Sequence, residues 1–295
     1  MMNNKVLFLG NGINDIDKHY QWKDLINKLI NDVNGDGIIK QDKLKPFPLL
    51  YEEIFVRARE IGKDEIFLKS LIAEDVNNLV TTNLHKEIVS RNIQDIITTN
   101  YDFTLERTIV EEPESMLNNG VVNEKLYSIF RHFKIEDKRF WHVHGDSNYP
   151  KSINLGYEHY SGSLQQMRNY VVTGTNYKNI PKKPLLKRIK ERKKIEITSW
   201  IDHFFLNDIF IVGLTLDFIE IDLWWLLTIR KRSSLNSSIP HVNNIVYFYP
   251  ANYENKIKHK LQVLNSFGVK TTPCDYDEKN KLAYYHDVLR IVEKA

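Results

Sequence analysis

The sequence predicts an α/β fold, a doubly wound parallel sheet of about six strands with helices on its faces. Three observations predict it. Apolar, β-rich runs recur at 5–9, 95–99, 139–144, 209–214, 245–249 and 269–272. Between them apolar residues fall at helical spacing, so strand and helix alternate. Four of the runs end at once in Gly, Asn, Thr, Asp or His: Gly10-Asn11-Gly12, Thr98-Thr99-Asn100-Tyr101-Asp102, His142-Val143-His144-Gly145-Asp146 and Gly213-Leu214-Thr215-Leu216-Asp217. Buried parallel strands whose carboxyl ends carry chemistry leave this pattern.

At 295 residues the chain can bury a large core. The expectation is one main domain, with a core of about 1–45, 92–146 and 197–295 and insertions at about 46–91 and 147–196. Apolar content of 42% and charged content of 27% fit a globular protein, and no run approaches the roughly 18 apolar residues of a membrane span. Met1-Met2-Asn3-Asn4-Lys5 runs into a strand without a secretory pattern, so a cytoplasmic location and no membrane partner are expected. Cys274 is the only cysteine, which excludes an intrachain disulfide and a cysteine-built zinc site. A net charge of +3 does not by itself indicate a nucleic-acid binder.

Lys5 to Leu9 reads as the first buried strand. Gly10-Asn11-Gly12-Ile13-Asn14 turns out of it, either as a cradle of backbone N–H groups for a phosphate or as an ordinary strand-to-helix turn. Asp15 and Asp17 disfavour an anion there unless they point away. Trp22, Leu25, Ile26, Leu29, Ile30 and Val33 repeat at helical spacing, which predicts an amphipathic helix packed on the sheet. Residues 32–39, with Asp32, Asn34, Asp36 and Gly37, imitate the first half of a calcium loop. Position twelve falls on Lys43, which supplies no bidentate carboxylate, so a polar turn is expected. Residues 46–91 read as a helical insertion.

The second strand ends at Asn100-Tyr101-Asp102, with a helix predicted over 103–110. Asn100 is either a helix cap or a ligand group. If 139–144 is a strand, His142 and His144 share one side, with Val143 opposite. No carboxylate-histidine motif accompanies them, so no metal is expected, and His144 is a catalytic or ligand-contacting residue or else a core histidine. Residues 147–196 include an amphipathic helix through Leu164, Met167 and Val171 and a basic run over 182–194. Such a run is usually a solvated helix face, and nucleic acid or another polyanion is the weaker reading. A helix from Asp217 carries acidic residues in its first turn and Arg230, Lys231 and Arg232 in its last, matching the helix dipole.

Taken together, the four strand ends resemble the sirtuins, and more closely the sirtuin-like NAD-hydrolysing domains of prokaryotic anti-phage defence systems. Gly10-Asn11-Gly12-Ile13-Asn14 resembles the family's Gly-Ala-Gly-Ile-Ser loop, which holds the pyrophosphate. Thr98-Thr99-Asn100-Tyr101-Asp102 is similar to the Thr-Gln-Asn-Ile-Asp motif, and Val143-His144-Gly145-Asp146 to the motif bearing the catalytic histidine. Gly213-Leu214-Thr215-Leu216 resembles the late Gly-Thr-Ser-Leu loop that contacts the adenosine half. The acidic, Trp-rich helix that follows is typical of the defence branch. The resemblance implies a Rossmann-like, sirtuin-like sheet with helical insertions in place of a zinc module, which a chain with one cysteine cannot build. Protein deacylation is therefore not expected.

The resemblance also implies roles. NAD is the substrate, and no metal takes part. His144, with an ordinary pKa of about 6.5, serves as the base. Asn100 fixes the ribose or the attacking water, and Asp102 holds the nicotinamide carboxamide. Gly10, Asn11, Gly12, Ile13, Asn14, Thr99, Gly213, Leu214, Thr215 and Asp217 complete the nucleotide site. The expected activity is an NAD glycohydrolase that depletes NAD on infection. Alternatives are a non-catalytic nucleotide-binding sensor and ADP-ribosyl or acyl transfer to protein. Because an unrestrained NAD hydrolase would kill its host, gating by homo-oligomerisation, a separate activator or a small signal is expected.

Overall fold

Among the described residues, seven strands form one sheet: β1 (Lys5–Leu9), β2 (Asp95–Thr98), β3 (Phe133–Ile135), β4 (Lys138–His142), β5 (Asp208–Val212), β6 (Ile245–Pro250) and β7 (Lys270–Cys274). Their order is β3-β4-β2-β1-β5-β6-β7. Every neighbouring pair is parallel except the hairpin of β3 with β4. Counting only the parallel strands, the order is 3-2-1-4-5-6, that of a doubly wound dinucleotide-binding sheet. Chain direction along the sheet reverses between β1 and β5, which is where such sheets bind ligands. The computed structural model from which this is read describes residues 4–16, 22–34, 37–40, 45–113, 116–191, 194–236 and 243–295. Met1 to Asn3, Asp17, the Trp22 side chain, Gly35 and Asp36 of the calcium-like turn, Lys43, and Arg192 and Lys193 of the basic run lie outside the described residues.

The central strands are buried on both faces. Val6, Phe8, Ile97, Trp141, Ile209 and Ile211 point into one apolar layer, and Leu7, Leu9, Ile96, Phe140, Phe210 and Val212 into the other. The first layer is closed by α7 (Trp200–Leu206), α8 (Ile221–Leu235) and α9 (Glu254–Ser266), the second by α4 (Asn83–Ser90) and α10 (Lys281–Lys294). β7 ends the sheet as a short edge strand carrying Pro273, a residue tolerated at an edge because it cannot donate to a ladder.

Several expectations need correction. The sheet has seven strands rather than about six, because Phe133–Ile135 adds an antiparallel edge. The helix α1 (Trp22–Asp32) does not pack on the sheet. Its Leu25, Ile26, Leu29 and Ile30, with Val33 just after it, join α2 (Phe47–Glu60) and α3 (Glu65–Asn77) in a separate apolar cluster, seated on Tyr101, Ile153 and Leu155 beyond the strand ends. An amphipathic pattern shows that a helix has a buried face, but not which layer buries it.

The helix predicted over 103–110 is only a turn of 3₁₀ helix at Glu106–Thr108. Thr104 bonds the Asp102 carboxylate through both its N–H and its hydroxyl, a local arrangement that competes with helix formation. Residues 101–106 are all buried, so there is no solvent face for a helix to present. The helix predicted from Asp217 begins at Ile221. The insertion at 147–196 contributes to the main core. It contains α5 (Tyr157–Arg168) and α6 (Leu185–Lys190), and its Met167, Tyr170, Val171, Ile180, Leu185 and Ile189 lie in the main core. Within the basic run Arg188 is buried and donates to the Tyr170 hydroxyl at 2.9 Å, while Lys183 pairs with Glu191.

Among the described residues, no helix is long and apolar enough to cross a membrane. None of their His, Cys, Asp and Glu side chains gather in a group of three or more that could hold a metal ion.

Candidate active site at the strand ends

β1 delivers Gly10-Asn11-Gly12 against the end of β5. The Gly10 N–H donates to the Val212 carbonyl at 3.0 Å and the Gly12 N–H to the Gly213 carbonyl at 2.9 Å. The approach is so close that a Cβ on Gly10 would lie 2.5 Å from the Leu214 Cα, and one on Gly12 would lie 2.8 Å from the Gly213 oxygen. These glycines are required by backbone contact between two strand-end loops. Ile13 and Asn14 also donate their N–H groups within the turn. Four of the five amides from Gly10 to Asn14 are thus already engaged, so a diphosphate would be met mainly by Asn11 and by side chains. Asp15 is neutralised by Lys281, whose ammonium lies 2.8 Å from its carboxylate.

The glycine loop is tied to the end of β2. Asn14 donates its amide to Asp102 at 2.8 Å and to the Asn11 side-chain oxygen at 3.0 Å. His85, on α4, accepts from the Thr82 N–H at Nδ1 and so donates from Nε2 to the Asn14 side-chain oxygen at 3.0 Å. Burial favours the neutral form of His85, partly opposed by Asp102. Asp102 holds the loop: one of its oxygens accepts from Asn14 and the other from Thr104. The Thr99 N–H continues the β1–β2 ladder to the Leu9 carbonyl.

Asn100 and His144 lie in the loops that leave the adjacent strands β2 and β4, each two residues beyond the register pair Thr98 and His142. Asn100 is 7% exposed and its side-chain nitrogen is buried without a hydrogen-bond partner among the described residues. A buried amide donor left open costs free energy unless a ligand or water meets it. Its own carbonyl accepts from His142 Nδ1 at 2.8 Å.

The two histidines do not share a face as the sequence pattern predicts. β4 ends at His142, and a turn through Gly145, whose φ of +92° suits glycine, redirects the chain. His142 lies among Phe103, Phe133 and Glu106; burial opposes its charge, but Glu106, 2.8 Å away, outweighs this and raises its pKa to about 9. His144 instead points to α8 and α5. Its Nε2 donates to the Asp222 carboxylate at 3.1 Å, and Tyr160 sits edge-on to its ring. Burial works against the imidazolium, but Asp222 and then Glu220 outweigh it and hold the His144 pKa above the ordinary value. Glu220 is itself pushed up to about 7 by burial, with His144 opposing and Asp222 adding to the rise.

The late loop leaves β5 through Gly213 at φ +65° and includes Leu216 at φ +49°, a conformation uncommon for a residue with a Cβ. Leu216 is buried and anchors the loop, whereas Thr215 and Asp217 face outward. The Thr215 carbonyl accepts from Lys260 at 2.7 Å, and the Asp217 N–H donates to Glu220 at 2.7 Å. Neither side chain is brought against Asn100 or His144 by these contacts. Asp222, Glu220, Ser163 and His85 escape sequence reasoning. The acidic residues before and within the first turn of α8 have an ordinary explanation in the helix dipole, and Ser163 is one hydroxyl in an unremarkable helix.

Both proposed catalytic residues are buried, His144 at 3% exposed. Two cavities, of about 710 Å³ beside the outer face of α5 and about 350 Å³ between β7 and α10, are not lined by any of these residues.

A profile of the SIR2-like domain family matches residues 94–193, from the start of β2 to the end of the basic segment. The match contains Asn100, Asp102 and His144 and supports a sirtuin-like domain, and with it NAD-dependent activity in general. The glycine loop after β1 and the loop after β5 lie outside the matched residues; the sheet brings them to the same edge. No curated protein matches the chain.

Proposed function

We propose that the chain is an NAD glycohydrolase, splitting NAD into nicotinamide and ADP-ribose, and that it acts as an anti-phage effector that depletes cellular NAD. The observation that carries this reading is the placement of an unpartnered, buried Asn100 amide and of His144 in the loops that follow adjacent strands. In the reaction the bond from the ribose anomeric carbon to the nicotinamide nitrogen breaks, and its electron pair leaves with the neutral nicotinamide. Water then bonds to the anomeric carbon and gives up a proton, so that one NAD and one water yield nicotinamide, ADP-ribose and one proton. One base suffices, and His144 supplies it. Asn100 offers a donor and an acceptor to place the ribose or the water, contributing by orientation. The loops at 10–14 and 213–217 flank the topological switch point, where the dinucleotide would lie.

Burial of His144 favours a gated enzyme, opened by self-association, a separate activator or a small signal. It also leaves a second reading, a nucleotide-binding sensor without turnover. Incubation with NAD across protein concentrations, with and without infected-cell extract, separates the two. Equimolar release of nicotinamide and ADP-ribose under any of these conditions supports the hydrolase. NAD binding by calorimetry with no release under all of them supports the sensor.

A further inference from the structure

We propose that Asp222 is the positioning residue for His144, holding its imidazole as the Nε2–H tautomer so that Nδ1 is the nitrogen that takes the proton. The inference rests on the hydrolase reading only for its kinetic consequence.

The geometry is specific. The His144 Nε2 lies 3.1 Å from the Asp222 carboxylate, and an acceptor-only carboxylate requires that Nε2 carry the hydrogen. Nδ1 has no hydrogen bond among the described residues, so it is the nitrogen with a lone pair to offer. Which ring nitrogen acts is set by the bond the other one makes. The carboxylate is itself held: its other oxygen accepts from the Leu223 N–H at 2.9 Å, and the Ser163 hydroxyl of α5 approaches to 3.5 Å. Asp222 is 0% exposed, so its carboxylate has lost water and its remaining interactions are with these groups.

The placement also joins the base to the nucleotide edge. Asp222 stands in the first turn of α8, which follows directly on the loop 213–217, while His144 belongs to the loop after β4. The pair spans the two sides of the switch point in the parallel sheet. The titratable groups facing it are Glu220 on α8, Tyr160 on α5 and Tyr101 after β2. Both tyrosines are raised by burial, and burial also favours the protonated form of Glu220, so Asp222 is the carboxylate that His144 contacts directly. A carboxylate that orients an imidazole and stabilises its protonated form is a recurring arrangement around histidine bases.

The test is an NMR titration of His144, its resonance assigned by loss in His144→Gln, in wild type and Asp222→Asn, beside NAD kinetics on both. Wild type is expected to show the Nε2–H tautomer when neutral and a midpoint above about 6.5. In D222N the midpoint moves down. If the enzyme turns over, its kcat falls by about tenfold or more while the Kd for NAD stays within about threefold, and the acidic limb of the pH profile moves to lower pH. Asp222→Glu restores part of the rate. An Nδ1–H tautomer in wild type, a midpoint at or below about 6.5, or a midpoint unchanged in D222N overturns the inference. Should D222N fail to fold, the wild-type tautomer and midpoint decide. A wild type that shows the expected titration but never cleaves NAD removes the hydrolase reading and leaves the positioning role intact.

Discussion

The Asn14 side-chain amide donates to the Asp102 carboxylate at 2.8 Å, across 88 positions of sequence, and so clamps the loop after β1 to the loop after β2. The carboxylate that the sirtuin resemblance assigns to the nicotinamide carboxamide thus also holds the glycine loop in place. Asp102→Ala and Asn14→Ala should each destabilise by about 1–3 kcal/mol, and the double variant by less than their sum, because they break one shared bond. Urea denaturation of the four proteins checks this. Additive losses would show that the bond does not form in solution.

Gly10→Ala should do more damage than an alanine usually does outside a helix. The new methyl would meet the Leu214 Cα at 2.5 Å and the Gly213 oxygen at 2.6 Å, both backbone, so the two loops must part. A loss of about 1–3 kcal/mol and weakened NAD binding are expected, measurable by thermal melting and calorimetry. A variant with wild-type melting and affinity would show that the loops are not in contact.

Arg131 and Asp146 form a buried ion pair at 2.8 Å, 1% and 0% exposed, in which Asp146 belongs to the loop bearing His144. Arg131→Met strands a buried carboxylate and should cost about 3–5 kcal/mol. Adding Asp146→Asn should recover part of that loss, since the stranded charge is then gone. Denaturant melts of the single and double variants decide; a double variant no better than the single would refute the pairing.

Burial raises Glu220 from the ordinary 4.5 to about 7. Because the folded-state pKa is the higher one, the contribution of this group to stability is full below about 4.5 and is lost as pH rises through about 7. Glu124, also raised to about 7 by burial, has the same sign. Glu220→Gln should therefore flatten the fall in Tm between about pH 5 and 8 relative to wild type. Parallel Tm curves would contradict a buried, proton-retaining Glu220.

The sheet and its four polar strand ends are legible in the sequence because strands buried on both faces read as unbroken apolar runs, and each motif follows its strand at once. What the sequence hides has local causes. The β3–β4 hairpin turns on Glu136 and Asp137, with Glu136 at φ +53°, and lacks the Asn-Gly or Gly signal by which such turns are recognised. Helix periodicity in α1 cannot distinguish a sheet from two other helices as its partner. Asp222 is one of three acidic residues around a helix start, where the dipole alone accounts for them, and only the tertiary contact with His144 gives it another role. His142 and His144 separate because the strand ends between them, and strand ends are the least certain feature of any periodic pattern.

The most direct test of the hydrolase reading is chromatographic measurement of NAD, nicotinamide and ADP-ribose for wild type beside Asn100→Ala and His144→Ala, at the protein concentration or with the extract that gives greatest turnover. The expected result is equimolar nicotinamide and ADP-ribose from wild type, with a loss of about 100-fold or more in both variants, each still folded by its melting curve. Undiminished cleavage by folded His144→Ala and Asn100→Ala, or no cleavage by wild type under any of these conditions, would contradict it.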